Sequence, residues 1–141
     1  MNLPALLSLK DENSYRAYFY KNFVKIKSLR TFDGIEVRFF THNFDHAFYV
    51  KSIRSSGKKD QFSWQRAKRM DWIAAILQSP EPELRRRAMP DGKIRRIALV
   101  GAERYAVVIQ IEPNGRRANF ITAYIVRDDE SLRKMRSNPR W

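Results

Sequence analysis

The second half of the chain carries the pattern that constrains the fold most strongly. Four segments of alternating polar and apolar character are separated by short turn sequences, which are Pro90-Asp91-Gly92, Gly101-Ala102-Glu103 and Pro113-Asn114-Gly115. Side chains of a strand alternate between two faces, and turns this short join neighbouring strands into hairpins. The sequence therefore predicts a four-stranded antiparallel meander with strands at 84–89, 93–100, 104–112 and 117–127.

Helical spacing marks the first half of the chain. Apolar residues recur at every third or fourth position from Tyr15 to Leu29, which predicts a helix over 11–30 with Asp11 or Ser14 as its N-cap. A second helix is predicted to begin after the N-cap Ser63 and to end at Ser79-Pro80. Between the two helices, 35–41 and 44–53 are rich in strand formers and predict two strands.

The order of these elements predicts an α+β fold, in which N-terminal helices precede a four-stranded antiparallel sheet meander and a short C-terminal helix. The 141 residues are enough for one domain, and we expect residues 1–141 to form it. Its helical part would span about 11–80, its sheet about 82–127, and its C-terminal helix and tail 128–141. With 43% hydrophobic and 13% aromatic residues, the chain can fill a core.

Three classes of chemistry are excluded because the chain has no cysteine: disulfides, thiolate zinc sites and cysteine nucleophiles. The same absence is compatible with a reducing compartment, and we expect a cytoplasmic protein. The N-terminal residues do not have the pattern of a secretion signal, and no apolar run approaches the length of a membrane span.

The chain is strongly basic. It has 28 Lys and Arg residues against 15 Asp and Glu, a formal net charge of +13 at pH 7. Such a surplus attracts polyanions, of which nucleic acid is the commonest. A basic surface that serves only solubility is one alternative. An anionic membrane surface is the other, and the lack of a long, cleanly basic amphipathic helix counts against it.

The basic residues with the best claim to bind nucleic acid lie in the loop after the predicted strand 44–53, at the start of the second helix, and in the sheet. They are Arg54, Lys58, Lys59, Lys68, Arg69, Arg95 and Arg96. Positive charge in the first turns of a helix opposes its macrodipole and gains nothing locally. The charges of the second helix therefore either bind phosphate or form a solvated face, and the sequence does not decide between the two.

The two histidines of the chain, His42 and His46, lie four residues apart. Histidine exchanges protons near neutral pH and is the usual acid or base of enzymes. A metal pair is disfavoured because the segment is strand-like and no cysteine or carboxylate cluster would complete the ligand set. Two surface histidines without a role remain the alternative.

A third candidate segment is Phe120-Ile121-Thr122-Ala123-Tyr124. Strict alternation along a strand predicts that Phe120, Thr122 and Tyr124 share one face, while Ile121 and Ala123 share the other. Two hydroxyl groups would then stand side by side. Thr and Tyr are also good strand residues, so the pair has a purely structural alternative.

The order of these motifs resembles the phage and toxin branch of the barnase, EndoU, colicin and RelE-like ribonuclease superfamily. The resemblance covers about 39–126 and is carried by the His46 segment, the helix of 62–73 closed by Leu77-Gln78-Ser79-Pro80, and the strands of 105–109 and 120–124. In that group, helices precede a four-stranded antiparallel sheet, and a strand near its end commonly reads aromatic, aliphatic, Thr, Ala, Tyr.

The resemblance implies a bacterial or phage toxin that cleaves RNA, with tRNA as one candidate substrate, and that uses neither a metal nor another cofactor. His46 would be the acid or base, with His42 as the weaker candidate. Arg66 and Arg69 would contact the phosphate, and Thr122 would donate a hydrogen bond to it beside Tyr124. The group often has a further histidine or lysine in the sheet, which cannot be assigned among Lys93, Arg95 and Arg96. An immunity or antitoxin protein is a possible partner.

A binding module without turnover is the alternative reading from another functional class. It would keep the fold and the basic face and would bind nucleic acid without cutting it. A basic protein that binds membrane surfaces is a third and weaker reading.

Charge alone makes one prediction. Affinity for tRNA should fall steeply as salt is raised, because each phosphate that a Lys or Arg neutralises releases condensed counterions. Filter binding between about 50 and 200 mM salt would measure the slope, with an expected loss on the order of a hundredfold or more if several phosphates are contacted. An affinity that stays flat would contradict the electrostatic argument.

Overall fold

The computed structural model describes residues 1–26, 28–52, 57 and 59–141 and has an α+β architecture. The described residues form five α-helices: α1 (Glu12–Phe19), α2 (Asn43–Ala47), α3 (Trp64–Lys68), α4 (Met70–Leu77) and α5 (Asp129–Arg136). They form eight strands: β1 (Leu29–Arg30), β2 (Glu36–Arg38), β3 (Tyr49–Val50), β4 (Gln61–Phe62), β5 (Glu83–Ala88), β6 (Ile94–Val100), β7 (Tyr105–Ile111) and β8 (Arg117–Ile125). A π-helical turn continues α1, and a short 3-10 turn separates β6 from β7.

The α+β class is confirmed, and β5 to β8 pair in sequence as an antiparallel meander. The predicted number of strands in the sheet was wrong. Among the described residues the main sheet has six strands in the order β1-β2-β8-β7-β6-β5, and β2 runs parallel to β8. β3 and β4 form a separate pair. β2 lies within the strand predicted over 35–41, but its pairing with β8 was not predicted, and the two-residue β1 lies within the segment predicted as the first helix.

The first helix is shorter than predicted. Asp11 caps it as expected by accepting a hydrogen bond from the Ser14 backbone N at 2.8 Å. The α-helix ends at Phe19 and the π-helical turn at Val24, so Leu29 belongs to β1, where it is paired with Val37. Leu29 would be buried either in a helix with this spacing or in a paired strand. It is in a strand because the chain reverses between β1 and β2 and pairs them.

α2 lies where the sequence predicted a strand over 44–53, so that prediction was wrong for 43–47. The buried residues Phe44, Ala47 and Phe48 recur at the helical spacing of three and four. Their aromatic character favours strands as strongly as their spacing favours a helix. Only Tyr49–Val50 is a strand, and Ile53 lies outside the described residues.

The second predicted helix begins at its expected N-cap, since Ser63 Oγ accepts from the Arg66 backbone N at 3.3 Å. It is interrupted at Arg69, which separates α3 from α4. The C-terminal helix α5 is capped by Asp128 and is followed by a tail along the outer edge of β5. There the Arg86 backbone N donates to Pro139 O at 2.8 Å, and that of Trp141 donates to Leu84 O at 3.1 Å.

The sheet buries side chains on both of its faces. One face packs against α1, α2 and α4, and its buried strand residues include Val107, Ile109 and Ala123. The opposite face carries a smaller cluster that contains Ile97, Leu99 and Val108 and is partly covered by α5 through Met135. None of the helices in the described parts of the chain is long and apolar enough to span a membrane.

A β-bulge in β8 changes which residues share a face. Val108 is opposite Thr122 and Ile109 is opposite Phe120, so Ile121 is an extra residue without a partner on β7. Phe120 and Ala123 therefore pack in the helix-side core, whereas Ile121 and Tyr124 pack against the opposite cluster. Thr122 and Tyr124 share a face as predicted, being opposite Val108 and Ala106, but the prediction was wrong for Phe120 because strict alternation does not continue through a bulge.

Arg96 is buried, with 2% of its surface exposed, and pairs with Asp33 through two hydrogen bonds of 3.0 and 2.5 Å. Its guanidinium also lies 4.3 Å from the centroid of the Trp141 ring. The hydrogen bonds from Arg96 lower the pKa of Asp33 from its usual 3.8 to about 2. The pair thus ties the turn before β2 to the sheet.

The lowered pKa of Asp33 predicts a loss of stability in acid. The folded state holds the carboxylate deprotonated, so its contribution is complete above about pH 4 and is lost as the pH falls towards 2. We expect Asp33→Asn to reduce the free energy of unfolding by about 1–3 kcal/mol at pH 6, allowing for solvent screening, and by much less near pH 2. Urea denaturation at both pH values would measure the difference.

The matched control is Asp45→Asn, which breaks an exposed ion pair with Arg16. It should cost less than about 1 kcal/mol. Equal losses in the two variants, or an Asp33→Asn deficit that persists unchanged at pH 2, would contradict the assigned role of the buried pair.

Candidate active site

α2 lies along a free edge of β8. β2 pairs with β8 only as far as Asn119, which leaves the next backbone groups of that edge without a strand partner. Asn43 takes the place of a strand by donating from Nδ2 to Phe120 O at 3.3 Å, while its Oδ1 accepts from the Phe40 backbone N at 2.7 Å. This contact holds α2 against the edge of the sheet. His46 lies on α2, and His42 directly precedes it.

His42 and His46 open onto a cavity of about 410 Å³ between α2 and the sheet, which we call the histidine cavity. Its lining residues are Phe40, His42, Asn43, His46, Arg95, Gln110, Asn119, Phe120 and Ile121. His42 precedes α2 as its N-cap, so the two histidines are one helical turn apart. The structure therefore places them together on a helix, where the sequence had predicted a strand.

Burial and positive charge both act on His46. Partial burial of the ring lowers its pKa below the usual value near 6.5, and the charges of Lys59, Arg95, His42 and Arg66 lower it further. His46 is thus surrounded by cations and is predominantly neutral at pH 7. A neutral imidazole has the lone pair that a general base requires.

Arg66 lies beside His46 and is half-buried. Its Nη1 donates to Ala47 O at 3.1 Å, next in sequence to His46, and its guanidinium lies 5.9 Å from the centroid of the Tyr124 ring. Burial is the main cause that lowers the Arg66 pKa, although a guanidinium stays charged at neutral pH. The charge predicted for this site is therefore in place, but removing it would also disturb the packing around α2.

A second basic cavity has Arg66 in its lining. It has a volume of about 620 Å³, and we call it the lysine cavity; its lining residues are Tyr49, Val50, Lys51, Lys59, Ser63, Gln65, Arg66, Ile125 and Arg127. Lys59 connects the two cavities, because its Nζ donates to His46 O at 2.6 Å. Burial, followed by the charges of Arg66 and Lys51, lowers the Lys59 pKa.

Some of the described arginines form ion pairs with carboxylates, whereas others, inside and outside this region, do not. Arg30, Arg38, Arg96, Arg104 and Arg133 each form an ion pair with a carboxylate. Within the described part of the chain, no carboxylate lies within ion-pair distance of the cations that line the two cavities, which are Lys51, Lys59, Arg66, Arg95 and Arg127. Neither cavity has an acidic residue in its lining. Their positive charge is thus available to an anion.

Thr122 and Tyr124 lie on the sheet face beside these cations. Thr122 is opposite Val108 and Asn119 is opposite Gln110, two positions apart on β7, and Tyr124 is two residues beyond Thr122. The Thr122 hydroxyl is buried and has no hydrogen-bond partner among the described residues. Burial raises the pKa of Tyr124, against the opposing effect of Arg87 and Arg66, so its phenol stays protonated. Thr122 lines neither cavity, and Tyr124 lines a separate one together with Arg87 and Lys134, so the structure does not bring these two predicted site residues into the cavity of His46.

Other predicted nucleic-acid contacts are placed elsewhere. Arg69 donates to Gln65 O at 2.8 Å and lies over Trp72, away from both cavities. Arg96 is on the helix side of the sheet, paired with Asp33, so including it in a binding surface was wrong. Lys68, half-buried on α3, lines neither cavity. Arg54 and Lys58 lie outside the described residues.

Two residues with side-chain amides, Gln110 and Asn119, line the histidine cavity and were not predicted from the sequence. Gln110 and Asn119 are directly opposite each other on β7 and β8, and Arg95 is opposite Gln110 on β6, so the three form one cross-strand row. Arg95 Nε donates to Gln110 Oε1 at 3.3 Å. The register of the hairpin at 112–117 was the only signal that could have found this row. Lys51, Arg87 and Arg127 were missed because isolated basic residues have no distinguishing pattern in a chain this basic.

Three comparisons with known proteins were negative: no protein-family model, no curated protein and no solved structure matches this chain. In the described ranges, no group of three or more His, Asp or Glu side chains is arranged to hold a metal ion. What the site can do is therefore inferred from its own side chains.

The surroundings of His46 predict how it titrates. We expect a His46 pKa below 6.5 in the wild type, and a higher value in Arg95→Gln, because one of the positive charges that oppose protonation has gone. Added salt should shift the wild-type pKa in the same direction by screening. NMR titration of the ring protons would measure both shifts, with His42→Gln to assign the two signals.

Arg30→Gln is the matched control, since Arg30 is exposed on β1 and pairs with Glu36. It should leave the His46 titration unchanged. A wild-type pKa at or above 6.5, or equal shifts in the Arg95 and Arg30 variants, would contradict the described cluster.

Proposed function

We propose that this protein cleaves RNA without a metal ion, by attack of a ribose 2′-hydroxyl on the neighbouring phosphate. The observation that carries the proposal is His46, a histidine with a lowered pKa among cations that have no carboxylate partner. Proton transfer and stabilisation of phosphate charge are the two requirements of this reaction, and both groups are present together.

His46 would act as the general base. Its neutral ring takes the proton of the 2′-hydroxyl, the 2′ oxygen forms a bond to phosphorus, and the bond from phosphorus to the 5′ oxygen of the next nucleotide breaks. The products are a 2′,3′-cyclic phosphate and a 5′-hydroxyl. The leaving oxygen takes up a proton, for which His42, in the same cavity, is the candidate acid.

Cations and donors would stabilise the charge that develops on the phosphate. The charges of Arg66 and Arg95 both act on His46, and Lys59 donates a hydrogen bond to its backbone carbonyl. Thr122 has a hydroxyl without a partner, and Tyr124 retains its phenolic proton. A charged donor aimed at a transition-state oxyanion is worth a few kcal/mol, so the set is large enough for a substantial rate enhancement.

The membership of the barnase, EndoU, colicin and RelE-like superfamily forms part of the same proposal. The meander and its Thr122 strand agree with the pattern of that group, whereas the parallel strand β2 and the bulge are additions to it. A toxin role, a tRNA substrate, a phage origin and a cytoplasmic setting follow only from the resemblance. An immunity protein would need an acidic surface to cover the two cavities.

A nucleic-acid-binding module without turnover is the second candidate. The lysine cavity favours it, because Lys51, Lys59, Arg66 and Arg127 could hold phosphates with no chemistry at all. Catalysis in the presence of a chelator distinguishes the two.

Incubation of the protein with mixed cellular RNA in excess chelator should produce fragments that end in 2′,3′-cyclic phosphate or 3′-phosphate. His46→Ala should lower the rate by about two to four orders of magnitude, the usual cost of losing a general base. His42→Ala should lower it less. The wild-type rate should decline as the pH falls through the lowered His46 pKa, because protonation removes the base. Gel electrophoresis and end analysis would measure these effects.

Folding is the necessary control, because α2 also supports the sheet edge. His46→Ala must retain the wild-type circular dichroism and unfolding midpoint for its loss of activity to count. If the wild type binds RNA tightly but cuts none of a panel that includes tRNA and ribosomal RNA, the binding-module function replaces the proposed one.

A further inference from the structure

Phe40 is an exposed aromatic residue at the mouth of the histidine cavity. Its neighbour Phe39 is buried in the core, whereas 38% of Phe40 is exposed. The Phe40 ring is nearly parallel to that of His42, at 10° and 5.6 Å between centroids. The two rings are stacked, and Phe40 adds an exposed aromatic surface to the cavity lining. Aromatic side chains bind nucleobases by stacking.

The amides of Asn119 and Gln110 form the floor of the same cavity. The buried Asn119 Oδ1 has no hydrogen-bond partner among the described residues. A buried acceptor left unpaired costs stability. An unpaired Oδ1 at this position is explained if a bound ligand supplies the hydrogen-bond donor. Gln110 Oε1 accepts from Arg95, which orients the amide and leaves its NH2 group to donate. Together they offer an acceptor and a donor, the pattern that reads a base edge.

The positive charge of the histidine cavity suits a nucleotide, and His46, the proposed base, is part of the cavity lining. Arg95 lines it without a carboxylate partner, so a phosphate attached to the base would be attracted rather than repelled. His46 lines it as well. A base in this cavity would therefore belong to the nucleotide next to the bond that His46 acts on.

We propose that the histidine cavity is a nucleobase subsite that selects single-stranded RNA, in which Phe40 stacks on the base and Asn119 and Gln110 contact its edge. This inference depends on the proposed function for the identity of the neighbouring reaction. The base must be unpaired, since stacking on Phe40 and contact with Asn119 require it to be extruded from a duplex.

The first experiment maps cleavage in a pool of single-stranded RNAs with random sequence. The wild type should prefer particular bases at one position beside the cut bond. Phe40→Leu should raise KM by about 5- to 100-fold and flatten the preference, because base stacking on an aromatic ring is lost, while Phe40→Trp should retain it. Asn119→Leu should change which base is preferred. The matched control is Phe32→Leu, since Phe32 is 41% exposed and lies beside Arg96 instead.

The second experiment measures binding without turnover. Short 2′-O-methyl oligonucleotides lack the attacking hydroxyl, and copies with one abasic position lack a single base. Wild-type affinity should fall by about 5- to 100-fold at one abasic position, and Phe40→Leu should lower the affinity for the intact strand to the same level. Annealing the oligonucleotide to its complement should remove the dependence on Phe40.

The outcomes separate the subsite from the reaction. Cleavage without base preference, with Phe40→Leu no different from Phe32→Leu, overturns the subsite and leaves the proposed function standing. Absence of cleavage with a Phe40-dependent abasic penalty supports the subsite and overturns the proposed function.

Discussion

The side chain of Asn43 ties α2 to the open edge of the sheet. β2 stops pairing with β8 at Asn119, and the open edge beyond it would expose unsatisfied backbone groups. Asn43 closes this edge by bonding both Phe40 N and Phe120 O, and only 5% of it is exposed. An aspartate could not donate to the carbonyl, and an apolar residue would leave both groups unpaired. The positions of His42, His46 and Phe40 all depend on this contact.

Much of the sheet could be predicted from the sequence, because turn residues and alternation are local signals. The four meander strands and the cap residues Asp11 and Ser63 could be predicted for that reason. α2 could not, since Phe44 and Phe48 satisfy strand propensity and helical spacing equally. Its helical state is decided by the open edge of β8, about 75 residues further along, and no window of local sequence contains that information.

The candidate site, like the fold, could be predicted from the sequence only in part. His46, Arg66, Thr122 and Tyr124 were selected because their residue types suit one reaction, and Arg95 was selected as a basic residue of the sheet. Arg69 and Arg96 have the same chemical character, but Arg69 lies over Trp72 and lines neither cavity, and Arg96 is buried against Asp33. Asn119 and Gln110 were missed because their alignment depends on strand register and single amides have no distinguishing sequence pattern.

The distribution of ion pairs carries the functional argument further than the net charge does. A half-buried arginine without a carboxylate, as Arg66 is, costs folding free energy that a paired one recovers. The same unpaired charges keep His46 neutral. Under the proposed function, a bound phosphate cancels part of that positive field, so the His46 pKa rises once the substrate is in place. The base is then deprotonated before binding and a stronger proton acceptor after it, because each phosphate oxygen that approaches Arg66 and Arg95 favours the imidazolium that the reaction forms.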